Sequence, residues 1–152
     1  MSLKDTISND IKTALISGNR FEVDVLRGLK AVILDEEVAT GSREQGLKDS
    51  EVERLVAREI KKRGESAKLY RQNNRIDLAE SEEKEALVLE KYLPEQISED
   101  ELRSLIDAEV AKLEVKNPQM MGKVIGEIKK QVGNSADGAL IAQLVKEILV
   151  KK

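Results

Sequence analysis

The sequence has no cysteine, no histidine and no tryptophan, and of its 152 residues only two are tyrosine, one is phenylalanine and two are proline. Without cysteine there can be no disulfide, thiolate nucleophile, zinc ribbon or iron–sulfur cluster. Without histidine the usual general base, the commonest metal ligand and any serine–histidine triad are excluded. Three aromatic rings leave almost no platform on which nucleic-acid bases could stack, and any core must be aliphatic. No apolar run approaches the roughly 18 residues a membrane-spanning helix needs. The start, Met1-Ser2-Leu3-Lys4-Asp5, has an early acid and no apolar stretch, unlike a secretory leader. The expectation is a soluble, cytoplasmic protein.

What is present is charge: 36% of residues are charged, against roughly 25% in an average soluble domain. The hydrophobic share of 40% is close to normal, so the chain can bury enough apolar surface to offset its entropy. Few helix breakers and abundant Ala, Leu, Val, Glu and Lys point to an all-α fold. The length fits one domain or two small ones.

Hydrophobic spacing resolves seven helices. Leu3, Ile7, Ile11, Ala14 and Leu15 mark the first, ending near Gly18, and a second runs from about Arg20 to Ala39. After a loop at Gly41–Gly46, Asp49 or Ser50 offers an N-cap for a long third helix reaching about Gln72. Asn73-Asn74 makes a turn, and a fourth helix runs from about Leu78 to Leu93, stopped by Pro94. Ser98 and Glu101 form a capping-box pattern opening the fifth helix, on Leu102, Leu105, Ile106, Val110 and Leu113. Asn117-Pro118 starts the sixth, which ends at Gly133, and Asp137 caps the seventh. Residues 1–93 thus read as an N-terminal subdomain of about four helices and 94–152 as a C-terminal subdomain of three, joined at Pro94–Ile97.

A net charge of −3 argues against a nonspecific polyanion binder, yet the charge is segregated. Arg54–Arg75 holds eight basic and two acidic residues, Asp77–Glu101 ten acidic and two basic, and Lys112–Lys152 eight basic and four acidic. On the third helix Arg54, Arg58, Lys61, Lys68 and Arg75 fall between about 140° and 240° from Val52, opposite Val52, Leu55, Val56, Ile60, Ala67 and Tyr70. This stripe reads either as a solvated face, neutralised if the acidic fourth helix packs alongside, or as a surface for a polyanion or an acidic partner.

In Met121-Gly122-Lys123-Val124-Ile125-Gly126, two helical glycines each cost up to about 1 kcal/mol relative to alanine. The first expectation is that a neighbouring helix packs closely along Gly122 and Gly126. The alternative is approach of a ligand backbone such as RNA sugar–phosphate, with Lys123 and Lys130 on the same side. No strand precedes the segment and the Lys-Ser/Thr ending is absent, so it is not a phosphate loop. At Gly133–Gly138 the amides could hold a phosphate, but Asp137 would repel one, and capping is the better reading. The acidic run of Asp77, Glu80, Glu82, Glu83 and Glu85 contains no distinguishable catalytic pair. No catalytic set, metal site or cofactor site is found.

The run Tyr92-Leu93-Pro94-Glu95-Gln96-Ile97-Ser98 with Glu101-Leu102, the Met121–Gly126 segment, Ala136-Asp137-Gly138 leading into Leu144-Val145, and Asn74–Glu80 together resemble YqeY-like proteins over most of the chain. That family shares its helical module with the C-terminal tail of GatB, a subunit of the glutamine-dependent amidotransferase acting on Glu-tRNA(Gln) and Asp-tRNA(Asn). The resemblance implies two helical subdomains, the second a three-helix bundle of GatB/YqeY type. It implies a noncatalytic tRNA-binding accessory module, with tRNA and an amidotransferase or aminoacyl-tRNA synthetase component as partners. Lys123, Lys129 and Lys130 are the RNA contacts carried over; the stripe on the third helix is not a family site. Many relatives carry a basic residue just before Ala-Asp-Gly where this chain has Asn134-Ser135, which implies weaker RNA contact there. The alternatives are a component of glutamine-dependent carbon–nitrogen ligase activity, or a protein-interaction module without RNA.

Overall fold

The computed structural model describes residues 1–114 and 117–150. Lys116, Lys151 and Lys152, part of the basic count of the C-terminal segment, lie outside the described residues. The chain divides into two compact units, Met1–Leu93 and Pro94–Lys152.

In the first unit, α1 (Leu3–Ser17) opens on a reciprocal cap: Ser2 Oγ accepts from the Asp5 amide at 3.1 Å, and Asp5 Oδ2 accepts from the Ser2 amide at 3.4 Å. It closes on Gly18, whose φ of 76° suits the residue without a β-carbon. Asn19 Oδ1 then accepts from the Glu22 amide, opening α2 (Arg20–Ala39). The third helix, α3, spans Asp49–Gln72, but Asp49 does not cap it. Its Oδ1 instead accepts from the Leu3 amide at 2.9 Å, filling a vacant donor of α1. Asn74, at φ 59°, turns the chain into α4 (Ile76–Glu90). The fourth helix therefore starts two residues before the expected Leu78 and stops three before the expected Leu93. Pro94 disfavours helix in the residue before it, and the Tyr92 and Leu93 amides instead make tighter bonds to the Leu89 and Glu90 carbonyls.

Ile7, Leu26, Leu29, Ile33, Val52, Leu55, Val56, Leu89 and Tyr92 close the core of this unit. The large aliphatic side chains among them are each worth about 1.5–3 kcal/mol on full burial. The α2–α3 loop is tied down by a fully buried carboxylate. Glu37 takes a two-pronged bond from Lys4 Nζ, both at 2.9 Å, and its Oε2 accepts from the Leu47 amide at 3.0 Å.

The second unit holds α5 (Glu99–Ala111), a 3₁₀ turn (Pro118–Met120), α6 (Met121–Val132), a short 3₁₀ turn (Gly133–Ser135) and α7 (Gly138–Val150). Leu102, Ile106, Val110, Val124, Ile128, Ile141, Leu144, Val145 and Leu149 form its core. Ser98 Oγ accepts from the Glu101 amide at 3.1 Å, but the Ser98 amide does not donate back to the Glu101 carboxylate, so the expected capping box is half made. Asn117 Oδ1 accepts from the Gln119 amide at 2.6 Å and so caps the 3₁₀ turn with Pro118 at its first position, rather than α6 itself. Asp137 opens α7 through its carbonyl, which accepts from the Ile141 amide at 3.0 Å. Among the described residues its carboxylate takes no capping bond, contrary to expectation.

Candidate nucleic-acid interface

The site begins with the apolar arc of α6. Val124 and Ile128 are buried, and Met121, Ile125 and Val132 pack against the same core. At about 100° per residue, Gly122, Gly126, Lys123, Lys129 and Lys130 then occupy one continuous arc opposite it. Both glycines are exposed. A β-carbon built on either would meet, among the described residues, no atom within 4 Å beyond its chain neighbours and its own helix backbone. Among the described residues the close packing expected of this pair is therefore absent: no neighbouring helix comes near them, because the bundle uses the other side of α6. Their conformational cost is not recovered by packing within the described residues.

The three lysines border this open strip. Lys123 is exposed at the mouth of a cleft of about 300 Å³ between α5 and α6, whose lining includes Glu109, Lys112 and Glu127. Glu109 is already engaged, with Lys112 Nζ at 3.0 Å and Gln131 Nε2 at 2.7 Å. The Lys112 bond, against a smaller opposing effect of burial and with help from Gln131, holds the Glu109 carboxyl below its ordinary range. Lys130 makes a loose, exposed pair with Glu127 at 3.5 Å, of a kind worth little in water. Lys129 reaches toward the start of α7, its Cε 3.5 Å from where a Gly138 β-carbon would stand. Lys123 and Lys129 form no ion pair among the described residues.

The segment before α7 holds the junction peptide in place. The Ser135 carbonyl accepts from the Ile97 amide at 2.9 Å, and the Asn134 carbonyl from Gln96 Nε2 at 3.0 Å. Gln96 also donates to the Pro94 carbonyl, so the junction peptide is fastened to this turn. Gln96 was visible in the sequence only as part of a motif.

On α3 the structure sorts the basic residues. Arg54 is drawn to Glu36 of α2 at 3.2 Å, and Arg71 pairs with Glu83 of α4. Arg58, Lys61, Lys68 and Arg75 are exposed and form no ion pair among the described residues. The acidic helix does lie along α3, but of the five stripe residues it neutralises none. Sequence reasoning missed an inward set: Glu59 is buried and pairs with Arg63 at 3.2 Å and Lys62 at 3.4 Å, while Arg63 Nε is buried without a partner. Nearby Glu82 has its carboxyl pushed up by burial and by the charge of Glu85, against the pull of Arg63.

Among the described residues no three His, Cys, Asp or Glu side chains are gathered to hold a metal ion, and no helix is long and apolar enough to cross a membrane.

The profile of the family described as YqeY-like protein matches residues 4–149. A protein of Clavispora lusitaniae named altered inheritance of mitochondria protein 41, mitochondrial, is 26% identical over 143 residues, covering 94% of this chain and 74% of that protein. A protein of the same name from Pyrenophora tritici-repentis is 25% identical, covering 94% of this chain and 78% of its own length. An uncharacterized protein of Schizosaccharomyces pombe is 34% identical over 87 residues, which is 57% of this chain and 71% of that protein. The names of the two relatives matched over 94% of this chain overturn the expectation of a cytoplasmic protein, since the location they print is mitochondrial.

Proposed function

Because the chain belongs to the YqeY-like protein family, we propose that it acts as a noncatalytic accessory module that binds tRNA through the outer face of α6. The observation that carries this reading is the open glycine pair. Gly122 and Gly126 weaken the helix and gain no internal packing in return, while Lys123, Lys129 and Lys130 surround them. Such a strip lets a sugar–phosphate backbone come close to the helix, with ammonium groups on either side to meet phosphates. With so few aromatic residues, recognition rests on the backbone rather than on stacked bases. The test is filter retention of bulk tRNA, and of mitochondrial tRNA in view of the relatives' names, at two salt concentrations. Binding that weakens with salt and is lost in Lys123→Glu/Lys130→Glu supports the reading; equal retention by that variant refutes it.

A second reading, a protein-docking module without RNA, is favoured by one feature of α2. Leu34 and Val38 are 42% and 60% exposed, and Arg27, Lys30 and Ala31 share a shallow cleft with Leu34. Partner capture that survives nuclease and is lost in Leu34→Glu/Val38→Glu would favour it.

A further inference from the structure

The first unit repeats, on α3, the arrangement that makes α6 a candidate. Gly64 lies in the interior of this 24-residue helix, exposed, and a β-carbon there would meet, among the described residues, nothing within 4 Å beyond its chain neighbours and its own helix backbone. Lys61 and Lys68 stand three residues before it and four after it, both exposed and both outside any ion pair among the described residues. Beside Gly64 opens a groove of about 510 Å³, lined by Ala67, Lys68, Arg71, Gln72 and Glu83. Arg58 extends the same cationic face by a turn. Like charges three and four residues apart, as in Arg58/Lys61/Lys62 and Lys68/Arg71, oppose the helix that carries them. Of the carboxylates on α3 between residues 58 and 68 only Glu65 is turned to this side, and Glu83 of α4, which also lines the groove, is paired with Arg71.

We propose that the groove beside Gly64 and Lys68, with Lys61 on the same face of α3, is a second seat for a nucleic-acid backbone, that of a base-paired RNA. The proposal takes its ligand from the RNA reading above. Charge complementarity selects a polyanion. The centre of a protein interface is depleted in lysine and built on large apolar or aromatic side chains, whereas here Leu69 is the one large exposed apolar residue of α3. A single strand is bound by stacking its bases on aromatic rings, and this face has none, which leaves the phosphates of a duplex stem.

The experiment measures binding of the full-length protein to a purified RNA hairpin across a salt series. Lys61→Gln/Lys68→Gln removes two contacts without adding repulsion. It is expected to weaken binding at least tenfold at low salt and to flatten the log–log salt slope by about 1.4 to 1.8. Gly64→Ala is expected to raise the melting temperature and yet weaken binding. If the α3 pair keeps the wild-type affinity and slope while Lys123→Gln/Lys130→Gln loses affinity, the second seat is refuted and the α6 reading stands. If only the α3 variants matter, the α6 reading falls and the second seat remains. No binding by wild type refutes both, and equal affinity for a single strand of the same composition refutes the duplex assignment.

Discussion

The Tyr92 hydroxyl donates to Asp10 Oδ2 at 2.5 Å, joining the end of α4 to the middle of α1 across 82 positions of sequence. Burial first, then the Asp10 hydrogen bond and the charges of Asp10 and Glu22, push the Tyr92 hydroxyl well above its ordinary value of 10.0. The raised value favours the protonated form in the folded state. Its contribution is therefore complete below pH 10 and is lost as pH rises through the folded value. Tyr92→Phe should destabilise the protein by about 1.5–3 kcal/mol, the range of a hydrogen bond to a charged group. Denaturant unfolding at neutral and alkaline pH checks this: the variant lacks the alkaline loss that the native chain shows.

Glu37 gives the opposite limb. Burial pushes its carboxyl up, but the Lys4 bond, the Leu47 amide and the charges of Lys4 and Arg43 outweigh this and set it below its ordinary 4.5. The stability it supplies is present above that pH and drains away as pH falls through the lower folded value. Glu37→Gln should cost about 2–3 kcal/mol at neutral pH, less than a fully buried pair because Lys4 keeps a third of its side chain in water. The acid melting curve of the variant should be the flatter one.

Arg63 and Glu59 form a largely buried pair in which Arg63 Nε has no partner. Arg63→Met alone should destabilise by somewhat less than the roughly 3–5 kcal/mol of a broken buried pair, since Lys62 still faces Glu59. Glu59→Leu/Arg63→Met together should return to within about 1 kcal/mol of the native chain. A double-mutant cycle in urea measures both.

Gly122→Ala and Gly126→Ala should each stabilise the protein by about 0.5–1 kcal/mol, because the added methyl meets no atom and the helix loses a flexible residue. The same substitutions should weaken tRNA retention. Stability and binding moving in opposite directions is the signature of a strip kept open for a ligand.

Most of the fold was legible because it is written in short-range rules. Ile7, Ile11 and Ala14, or Leu102, Ile106 and Val110, recur at helical spacing, and Gly18, Pro94 and Pro118 punctuate them. Asp49 was misjudged because its partner, the Leu3 amide, lies 46 residues away, where no local rule reaches. Buried Glu37 and Glu59 and half-buried Arg63 did leave a signal: each falls on the apolar arc of its helix, four residues from a core position or from its own partner. The glycines of α6 were misread for a related reason. Spacing alone suggested a packed ridge, but their projection lies opposite Val124 and Ile128, and the neighbouring helices follow the apolar side. Of the basic stripe, the sequence could list the residues but could not tell that Arg54 would be drawn to Glu36 while Arg58, Lys61 and Lys68 stay outside any ion pair among the described residues.

The most direct measurement is an amide NMR titration of the isotope-labelled full chain with tRNA, following the glycine resonances. The account predicts that the Gly122 and Gly126 amides, with those of Lys123 and Lys130, shift or broaden first, and that added salt reverses the change. Binding that leaves these amides unmoved, or no binding at low salt, would contradict it.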